Sequence, residues 1–128
     1  MILKPGLVNE VAGVVTPEEC ADQPGNGSPS VYAPPSVAVL MEKCAAQLLD
    51  RLLDEAHTSV GVFLTIHHMA ATPVELKVTC KAEVTYVNGR EVRFFVRVFD
   101  EKECIGSGEH TREIVDCARF SNATDKNL

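Results

Sequence analysis

The chain is 128 residues long, with 45% apolar and 23% charged residues. This composition is typical of one soluble globular domain and excludes fibrous, coiled-coil and disordered chains. The 12 Lys and Arg against 18 Asp and Glu give a formal charge of −6, which argues against a nucleic-acid or anionic-membrane partner. Aromatic residues make up only 5%, without Trp, so stacking platforms for single-stranded nucleic acid are not expected.

The first residues and the cysteines predict a cytoplasmic protein with reduced thiols. The chain does not open with a basic segment followed by an apolar run, and no stretch approaches the about 18 apolar residues of a membrane span. The cysteines are scattered and never form a C-x-x-C pair, which favours buried thiols over disulfides or a zinc site. They are Cys20, Cys44, Cys80, Cys104 and Cys117.

The first half of the chain predicts a strand, a loop and a helix. Residues 6–15 are rich enough in Val for a first strand. Residues 16–35 hold five of the seven prolines, which predicts a long loop of the kind that forms lids. Residues 36–56 predict the one long helix, because apolar residues recur every three or four positions and cover more than half of its surface.

The second half predicts four antiparallel strands. Two of them alternate cleanly between apolar and polar residues, and Asn88-Gly89 between them predicts a type I′ hairpin turn with positive φ at both positions. The end of the chain, 116–128, predicts a polar tail with at most one helical turn. The strands are expected at 58–69, 76–87, 90–100 and 104–115.

This order predicts an α+β hotdog fold as a single domain over residues 1–128. One helix cannot cover both faces of a five-stranded antiparallel sheet, so we expect a long central helix wrapped by a curved sheet. The remaining face or edge would serve self-association as a dimer. Phe95 and Phe99 alternate with arginines and fit a half-buried dimer or ligand face. Other α+β rolls share this count of elements.

Five segments stand in a fixed order along the chain: 33–42 (APPSVAVLME), 59–61 (SVG), 67–73 (HHMAATP), 87–90 (VNGR) and 105–112 (IGSGEHTR). In this order and at these spacings they resemble the fluoroacetyl-CoA thioesterase family of hotdog proteins. The similarity covers nearly the whole chain and is weakest across 16–33. It implies a hotdog homodimer, with tetramers left open, that hydrolyses small acyl-CoA thioesters near the dimer interface. Coenzyme A would be part of the substrate, with no separate cofactor.

The resemblance carries over to individual positions. Glu42 matches the family's helix glutamate and His68 its catalytic histidine, while Gly61 and Arg112 match its substrate-contacting glycine and arginine. The family's catalytic threonine falls on Pro34, which has neither a hydroxyl nor an N–H.

Two further positions bear on that departure from the family. Ser36 is the candidate for a substitute hydroxyl. The phenylalanine-bearing lid that the family associates with fluorinated substrates is not expected, because residues 22–30 contain no Phe. Selectivity for fluoroacetyl groups is therefore not implied.

The residues themselves allow the same chemistry and a plainer alternative. Glu42 lies in an apolar helix face, so its carboxylate either occupies a cleft, as a general base or nucleophile, or is exposed and paired with a lysine. Strict alternation places His68 with Val62, Leu64 and Ile66, where it is either an acid-base group or a satisfied core histidine.

Gly61 and Arg112 are open to two interpretations each. Gly61 in a β-branched run indicates a close approach to the backbone or a β-bulge. Arg112 could bind an acyl carboxylate or a CoA phosphate, or be a surface strand residue. No metal site is expected, because His67 and His68 diverge on a strand and no third ligand is spaced nearby.

Three functions follow, in order of preference. The first is a dimeric thioesterase in which Glu42 and His68 carry the hydrolysis. The second is a catalytically weak hotdog module that binds CoA or acyl ligands, because Pro34 replaces the hydroxyl. The third, a hydratase or dehydratase, would need a motif on the long helix that the sequence lacks. Seven of the 12 basic residues lie between Lys77 and Arg112, on the strands expected to frame an anionic ligand.

Overall fold

The structure is a computed structural model that describes residues 2–20, 32–73 and 75–124. At its centre lies helix α1 (Pro34–Leu52), which starts with two prolines in the turn where a helix needs no N–H donors. The helix was expected at 36–56. It begins two residues earlier because of these prolines, and it ends earlier because Leu53 adopts an extended backbone. Its buried stripe consists of Val37, Met41, Cys44, Ala45, Leu48 and Leu49.

An antiparallel sheet curls around this helix. Its strands run in the order β1-β4-β5-β6-β2, and β3 pairs with β6 beyond the end of β2. The helix contacts every strand on that main path. The strands are β1 (Val8–Val14), β2 (His57–Leu64), β3 (His67–His68), β4 (Lys77–Asn88), β5 (Glu91–Phe99) and β6 (Cys104–Asp116).

The alternation in β4 and β5 is confirmed. The inner face buries the apolar residues, and the outer face of β5 carries Arg93, Phe95, Arg97 and Phe99. The inner residues are Val78, Cys80, Ala82, Val84, Val92, Phe94, Val96 and Val98. A long helix enclosed by a curved antiparallel sheet is the hotdog arrangement, so the predicted fold class is confirmed. Cys20, Cys44 and Cys80 are buried as well, whereas Cys104 and Cys117 are half-buried.

The sheet has six strands rather than five, because the predicted strand 58–69 is interrupted. Thr65 leaves the ladder, and its backbone N–H donates to the Glu109 carbonyl at 2.9 Å while its hydroxyl accepts from the Glu109 N–H at 3.0 Å. The Thr65 backbone passes so close to Gly108 that a Cβ there would overlap the Thr65 carbonyl oxygen. The glycine therefore permits the break that separates β2 from β3.

The hairpin between β4 and β5 differs from the prediction by one residue. Asn88 pairs with Glu91 in the ladder, so the two-residue loop is Gly89-Arg90. Only Gly89 has a positive φ, of 60°, whereas Asn88 has an ordinary strand conformation. Positive φ at the first loop position alone is typical of a type II′ turn, so the predicted type I′ turn is wrong.

Two predicted irregular segments contain helix. In the expected loop 16–35, Pro17–Glu19 form one 3₁₀ turn, Cys20 bridges to Tyr32, and α1 has already started by Pro34. The rest of the expected loop or lid, residues 21–31, lies outside the described residues.

The first part of the predicted polar tail contains more helix than the single turn expected, because Cys117–Thr124 form helix α2. This helix begins where the Asp116 carboxylate accepts a hydrogen bond from the Arg119 N–H at 3.1 Å, which is the role of an N-cap residue. Within the parts of the chain that the structure describes, no helix is both long and apolar enough to cross a membrane.

Candidate active site

Three elements meet around Gly61 and leave a small space that we call the Gly61 gap. Gly61 on β2 lies directly opposite Arg112 on β6. A Cβ added at Gly61 would lie 3.2 Å from Cε1 of His110, 3.3 Å from Nη1 of Arg112 and 3.8 Å from Cδ of Glu42 on α1. The missing side chain therefore creates the space that a carboxylate, an imidazole and a guanidinium all border.

Gly61 combines both of its predicted interpretations. The space beside it is a close approach, and the β2–β6 register shifts between Gly61 and Phe63, which is a β-bulge. The bulge turns Val62 outward, where it is 54% exposed, so strict alternation was wrong for this residue. Leu64 and Ile66 pack against the core as the alternation predicts.

Arg112 is buried, which contradicts the alternative of a surface strand residue. Only 7% of it is exposed. Its Nε donates to the Ser59 hydroxyl at 2.9 Å and its Nη2 to the Ser59 carbonyl at 3.0 Å. Burial lowers the pKa of Arg112, while the negative charges of Glu42 and Asp50 act in the opposite direction. A guanidinium stays protonated in proteins, so the gap contains a fixed positive charge.

His110 is the site residue that sequence reasoning missed. It is 1% exposed, its Nδ1 donates to the Phe63 carbonyl at 2.8 Å, and its Nε2 lies 3.2 Å from Nη1 of Arg112. Burial is the main reason why its pKa is lowered. The sequence did contain one indication of its role: His110 stands two residues before Arg112, so both side chains lie on the same face of β6.

Glu42 borders the gap from the helix with its side chain exposed. Within residues 2–20, 32–73 and 75–124 its carboxylate has no hydrogen bond and no ion pair, so pairing with a lysine is not observed. Its negative charge partly offsets the effect of burial, which lowers the pKa of both His110 and Arg112. The carboxylate is therefore available to a substrate or a water molecule.

His68 lies on β3, opposite Gly106 of β6. Its Nε2 is buried and has no hydrogen-bond partner among the described residues, an unusual state for a buried polar atom. A cavity of about 250 Å³ is lined by His68 and the three residues that follow it. Gly106 itself lies beneath α1, because a Cβ added there would be 3.9 Å from Cε of Met41, the residue before Glu42. His68, which pairs with Gly106, therefore lies in the region of the sheet beneath the helix turn that precedes Glu42. No hydrogen bond joins His68 to Glu42 in the described part of the chain.

Pro34 and Ser36 both lie in the first turn of α1, away from the gap. Pro34 is exposed, eight residues before Glu42, which on a helix is about 80° around the axis and about 12 Å along it. Ser36 is about 120° from Glu42 around the same axis. It lines a different cavity of about 170 Å³, together with Tyr32, Lys43 and part of β1. The structure thus brings together Glu42, Gly61 and Arg112, but not Ser36.

The described residues form no metal site, and part of the predicted ligand face lines a groove that extends to His110. In the described ranges, no three His, Cys, Asp or Glu side chains are close enough together to hold a metal ion. A groove of about 640 Å³ lies on the outer face of the sheet, lined among others by Phe63, Arg93 and Phe95. Phe94 and His110, which belong to the inner face, also line this groove, and His110 borders the Gly61 gap as well.

A helix enclosed by a curled antiparallel sheet defines a protein of the hotdog fold, and here a carboxylate and a cation border a gap beside that helix. A hot-dog-like protein from Thermanaerovibrio acidaminovorans superposes with a TM-score of 0.89 at 19% identity, covering 97% of this chain and 92% of that one, which shows the fold. Residues 15–118 match the model of the fluoroacetyl-CoA-specific thioesterase family. The chain belongs to this family, as the sequence resemblance predicted.

Individual relatives agree with this assignment. The fluoroacetyl-CoA thioesterase of Streptantibioticus cattleyicolor is 33% identical over 93 residues, which cover 73% of this chain and 67% of the relative. A solved fluoroacetyl-CoA thioesterase superposes with a TM-score of 0.92 at 27% identity, covering 100% of this chain and 99% of that one. A variant of such a thioesterase, solved with fluoroacetate and CoA, superposes with a TM-score of 0.86 at 29% identity, over 92% and 99% of the two chains.

Proposed function

We propose that this protein hydrolyses small acyl-CoA thioesters, with the thioester carbonyl placed in the Gly61 gap. The observation that carries the proposal is the unengaged carboxylate of Glu42 beside that gap, with the buried cation of Arg112 on the opposite side. A carboxylate can activate a nucleophile, and a fixed cation stabilises the negative charge that develops on a carbonyl oxygen. The relative solved with fluoroacetate and CoA supports this class of substrate.

Glu42 is the group that we assign to the attack, and two routes are open to it. As a general base it takes a proton from water, whose oxygen then adds to the carbonyl carbon. As a nucleophile it adds to the carbonyl itself, releases the CoA thiolate and forms an anhydride that water then cleaves. Both routes end with a free carboxylic acid and the CoA thiol.

His68 is assigned to the leaving group. A proton donor close to the sulfur assists the departure of the CoA thiolate, and imidazole is the side chain best suited to proton transfer near neutral pH. The buried Nε2 of His68 has no partner among the described residues, so a substrate atom would complete its hydrogen bonding. Because Glu42 and His68 do not touch, the substrate would lie between them.

Arg112 and Gly61 are assigned to the acyl end of the substrate. Arg112 lies too deep to meet the CoA phosphates, which carry several charges and remain near solvent. Its N–H groups therefore serve the thioester carbonyl or another oxygen of the acyl group. Gly61 provides the space for that group, and the small size of the gap favours a short acyl chain. The absence of Phe from 22–30 leaves no reason to assign selectivity for fluorinated groups.

A homodimer is part of the proposal. Strand β2 ends the main path of the sheet, so its outer edge has backbone donors and acceptors that no strand on that path pairs. Val62 and Phe63 on this strand are 54% and 53% exposed. A second copy of the chain would cover both features and place two gaps close to one interface. Light scattering at micromolar concentration should give twice the mass of the chain.

Steady-state turnover of a panel of short acyl-CoAs tests the assignment of Glu42 and His68. We expect Glu42→Gln and His68→Ala to lower kcat about 10²- to 10⁴-fold, the usual contribution of an acid-base group. Their matched controls are Glu113→Gln, an exposed carboxylate next to Arg112, and His67→Ala, the exposed neighbour of His68. Wild-type turnover that survives both Glu42→Gln and His68→Ala would overturn the proposal.

An isotope experiment separates the two routes open to Glu42. In a single turnover in H₂¹⁸O with enzyme in excess, a nucleophilic carboxylate acquires one ¹⁸O when water attacks the Glu42 carbon of the anhydride, so label in Glu42 demonstrates the nucleophilic route. A general base leaves Glu42 unlabelled and places ¹⁸O in the acid product alone. Mass spectrometry of the peptide that contains Glu42 distinguishes these results.

Pro34 favours one alternative, a module that binds CoA esters but hydrolyses them poorly. The position that holds the family's threonine is an exposed proline without a hydroxyl. Calorimetry with a non-hydrolysable acyl-CoA thioether measures binding independently of turnover. Binding by wild type without turnover would favour the module, whereas binding together with turnover that depends on Glu42 favours the enzyme.

A further inference from the structure

Arg112 is a buried cation whose hydrogen bonds are divided between a serine and a histidine. Among the residues that the structure describes, no carboxylate oxygen lies within ion-pair distance of it. Three of its donors are engaged, by the Ser59 hydroxyl, the Ser59 carbonyl and Nε2 of His110. A guanidinium has five N–H groups, so two are left for a ligand. Burying a cation without a carboxylate partner costs free energy. The neutral groups that orient Arg112 therefore indicate what the cation is used for.

The contacts of His110 define its tautomer. A carbonyl oxygen can only accept, so Nδ1 of His110, 2.8 Å from the Phe63 carbonyl, carries the hydrogen. In the neutral ring Nε2 is then a lone-pair acceptor, and Arg112 Nη1 at 3.2 Å is its donor. A protonated ring would turn an N–H toward the N–H of Arg112 and break that contact. The arrangement therefore requires neutral imidazole.

The surroundings of His110 include few charges. Arg112 on its own strand and Glu42 on α1 are the charged groups, Phe63 on β2 supplies a carbonyl, and Phe94 on β5 stacks with its ring centroid 6.2 Å away. Burial and Arg112 favour the neutral ring, while the Phe63 carbonyl and Glu42 favour the charged one.

We propose that His110 is the positioning residue of this site, which accepts a hydrogen bond from Arg112 and so holds the guanidinium with its two remaining N–H groups toward the Gly61 gap. This inference rests on the proposed thioester hydrolysis, in which those N–H groups meet the acyl oxygen. His110 borders the gap with Cε1 but has no free nitrogen to offer a substrate. Its contribution therefore passes through Arg112.

Two isosteric variants separate the two hydrogen bonds of His110. In His110→Gln the amide oxygen reaches the former position of Nε2 and still accepts from Arg112, whereas the bond to Phe63 is lost. In His110→Asn the shorter amide replaces Nδ1, keeps the bond to Phe63 and loses the acceptor for Arg112. We expect His110→Asn to lower kcat about 10²-fold with little change in KM, and His110→Gln to recover most of that loss.

A purely structural role would give a different pattern. The two variants would then have similar kcat values and would differ, if at all, in Tm. The wild type should also lose kcat in acid as His110 gains a proton, and His110→Gln should lack that step because an amide does not titrate. His57→Asn, at the start of β2 and paired with Asp54, is the control for a histidine outside the site. Equal kcat for His110→Asn and His110→Gln would overturn the proposal.

A spectroscopic measurement keeps this test independent of turnover. The Nη1–H that Arg112 donates to His110 should give a slowly exchanging ¹⁵N signal, whereas the Nε–H is held by Ser59 and serves as the internal reference. The signal should persist in His110→Gln and broaden or exchange rapidly in His110→Asn. If the wild type hydrolyses no acyl-CoA, the proposed function fails while this result still decides the role of His110. Slow exchange in both variants would contradict positioning by His110.

Discussion

Gly61 on β2 and Arg112 on β6 are directly opposed residues, and a Cβ at Gly61 would lie 3.3 Å from Nη1 of Arg112. That separation is too short for an ordinary contact unless one side moves. Neither His110 nor Arg112 can move freely, because hydrogen bonds to Ser59 and Phe63 fix both. The width of the gap is therefore set by the absence of one side chain.

Adding that side chain should damage the site more than the fold. In Gly61→Ala the new methyl group occupies the space of the acyl carbonyl and displaces Arg112, so we expect kcat/KM to fall about 10²-fold. The strain should lower the free energy of unfolding by about 1 to 3 kcal/mol. Gly13→Ala on β1 is the control, since a Cβ there meets nothing within 4 Å. Unchanged kcat/KM in Gly61→Ala would contradict the placement of the substrate.

The two glycines of β6 should differ sharply in their tolerance of a methyl group. A Cβ at Gly108 would overlap the Thr65 carbonyl oxygen, so Gly108→Ala should cost about 3 kcal/mol or more of unfolding free energy. A Cβ at Gly106 would have its nearest neighbour, the His67 carbonyl oxygen, at 3.5 Å, which is ordinary contact. Gly106→Ala should therefore change stability by less than about 1 kcal/mol. Urea unfolding of both variants checks the contrast, and similar losses in the two would contradict the crossing of Thr65 over Gly108.

Periodic patterns predicted the fold class because they record which face of an element is buried. The alternation in β4 and β5 and the apolar stripe of α1 both follow from one helix enclosed by one sheet. The break at Thr65 and the turn at Gly89 could not be predicted from these patterns, because each depends on where two backbone segments meet. Helix α2 was expected as one turn at most, because its start depends on a single capping contact of Asp116.

The sequence also predicted part of the candidate active site. The resemblance named Glu42, Gly61 and Arg112, and the structure places these three around one gap. Helix phase alone could have excluded Ser36 from that gap, since six residues correspond to about 240° of rotation. His110 was not predictable from periodicity, because a buried histidine on an apolar face looks the same whether or not its nitrogen contacts a cation.

The buried neutral state of His110 predicts a pH-dependent stability. Its pKa in the folded state is lowered from 6.5, chiefly by burial, so at mildly acidic pH the unfolded chain binds a proton that the folded chain does not. The free energy of unfolding should therefore fall as the pH drops from about 7 toward the lowered pKa. His110→Phe should have a flatter pH dependence, whatever its stability at neutral pH. Urea unfolding at several pH values measures the slopes, and equal slopes would contradict a neutral buried His110.

Ser36 should be dispensable for hydrolysis. It faces the cavity near Tyr32 and Lys43, about 120° around α1 from Glu42. We expect Ser36→Ala to keep kcat within about twofold of wild type, because a surface substitution away from the reacting groups has a small effect. A fall of kcat comparable with that of Glu42→Gln would show that this hydroxyl does substitute for the missing threonine.

The variant Pro34→Thr tests whether the missing threonine hydroxyl limits the rate of hydrolysis. Position 34 is the first residue of α1, where the N–H of a non-proline residue has no partner within the helix and a hydroxyl is sterically tolerated. Pro34→Thr restores both groups, but position 34 lies about 12 Å along α1 from Glu42, so we expect kcat to stay within about twofold of wild type. Pro35→Thr is the matched control, because it places the same groups about 100° further around the helix. A gain in Pro34→Thr alone would contradict this expectation, whereas a gain of equal size in both variants would indicate a general loosening of the helix start.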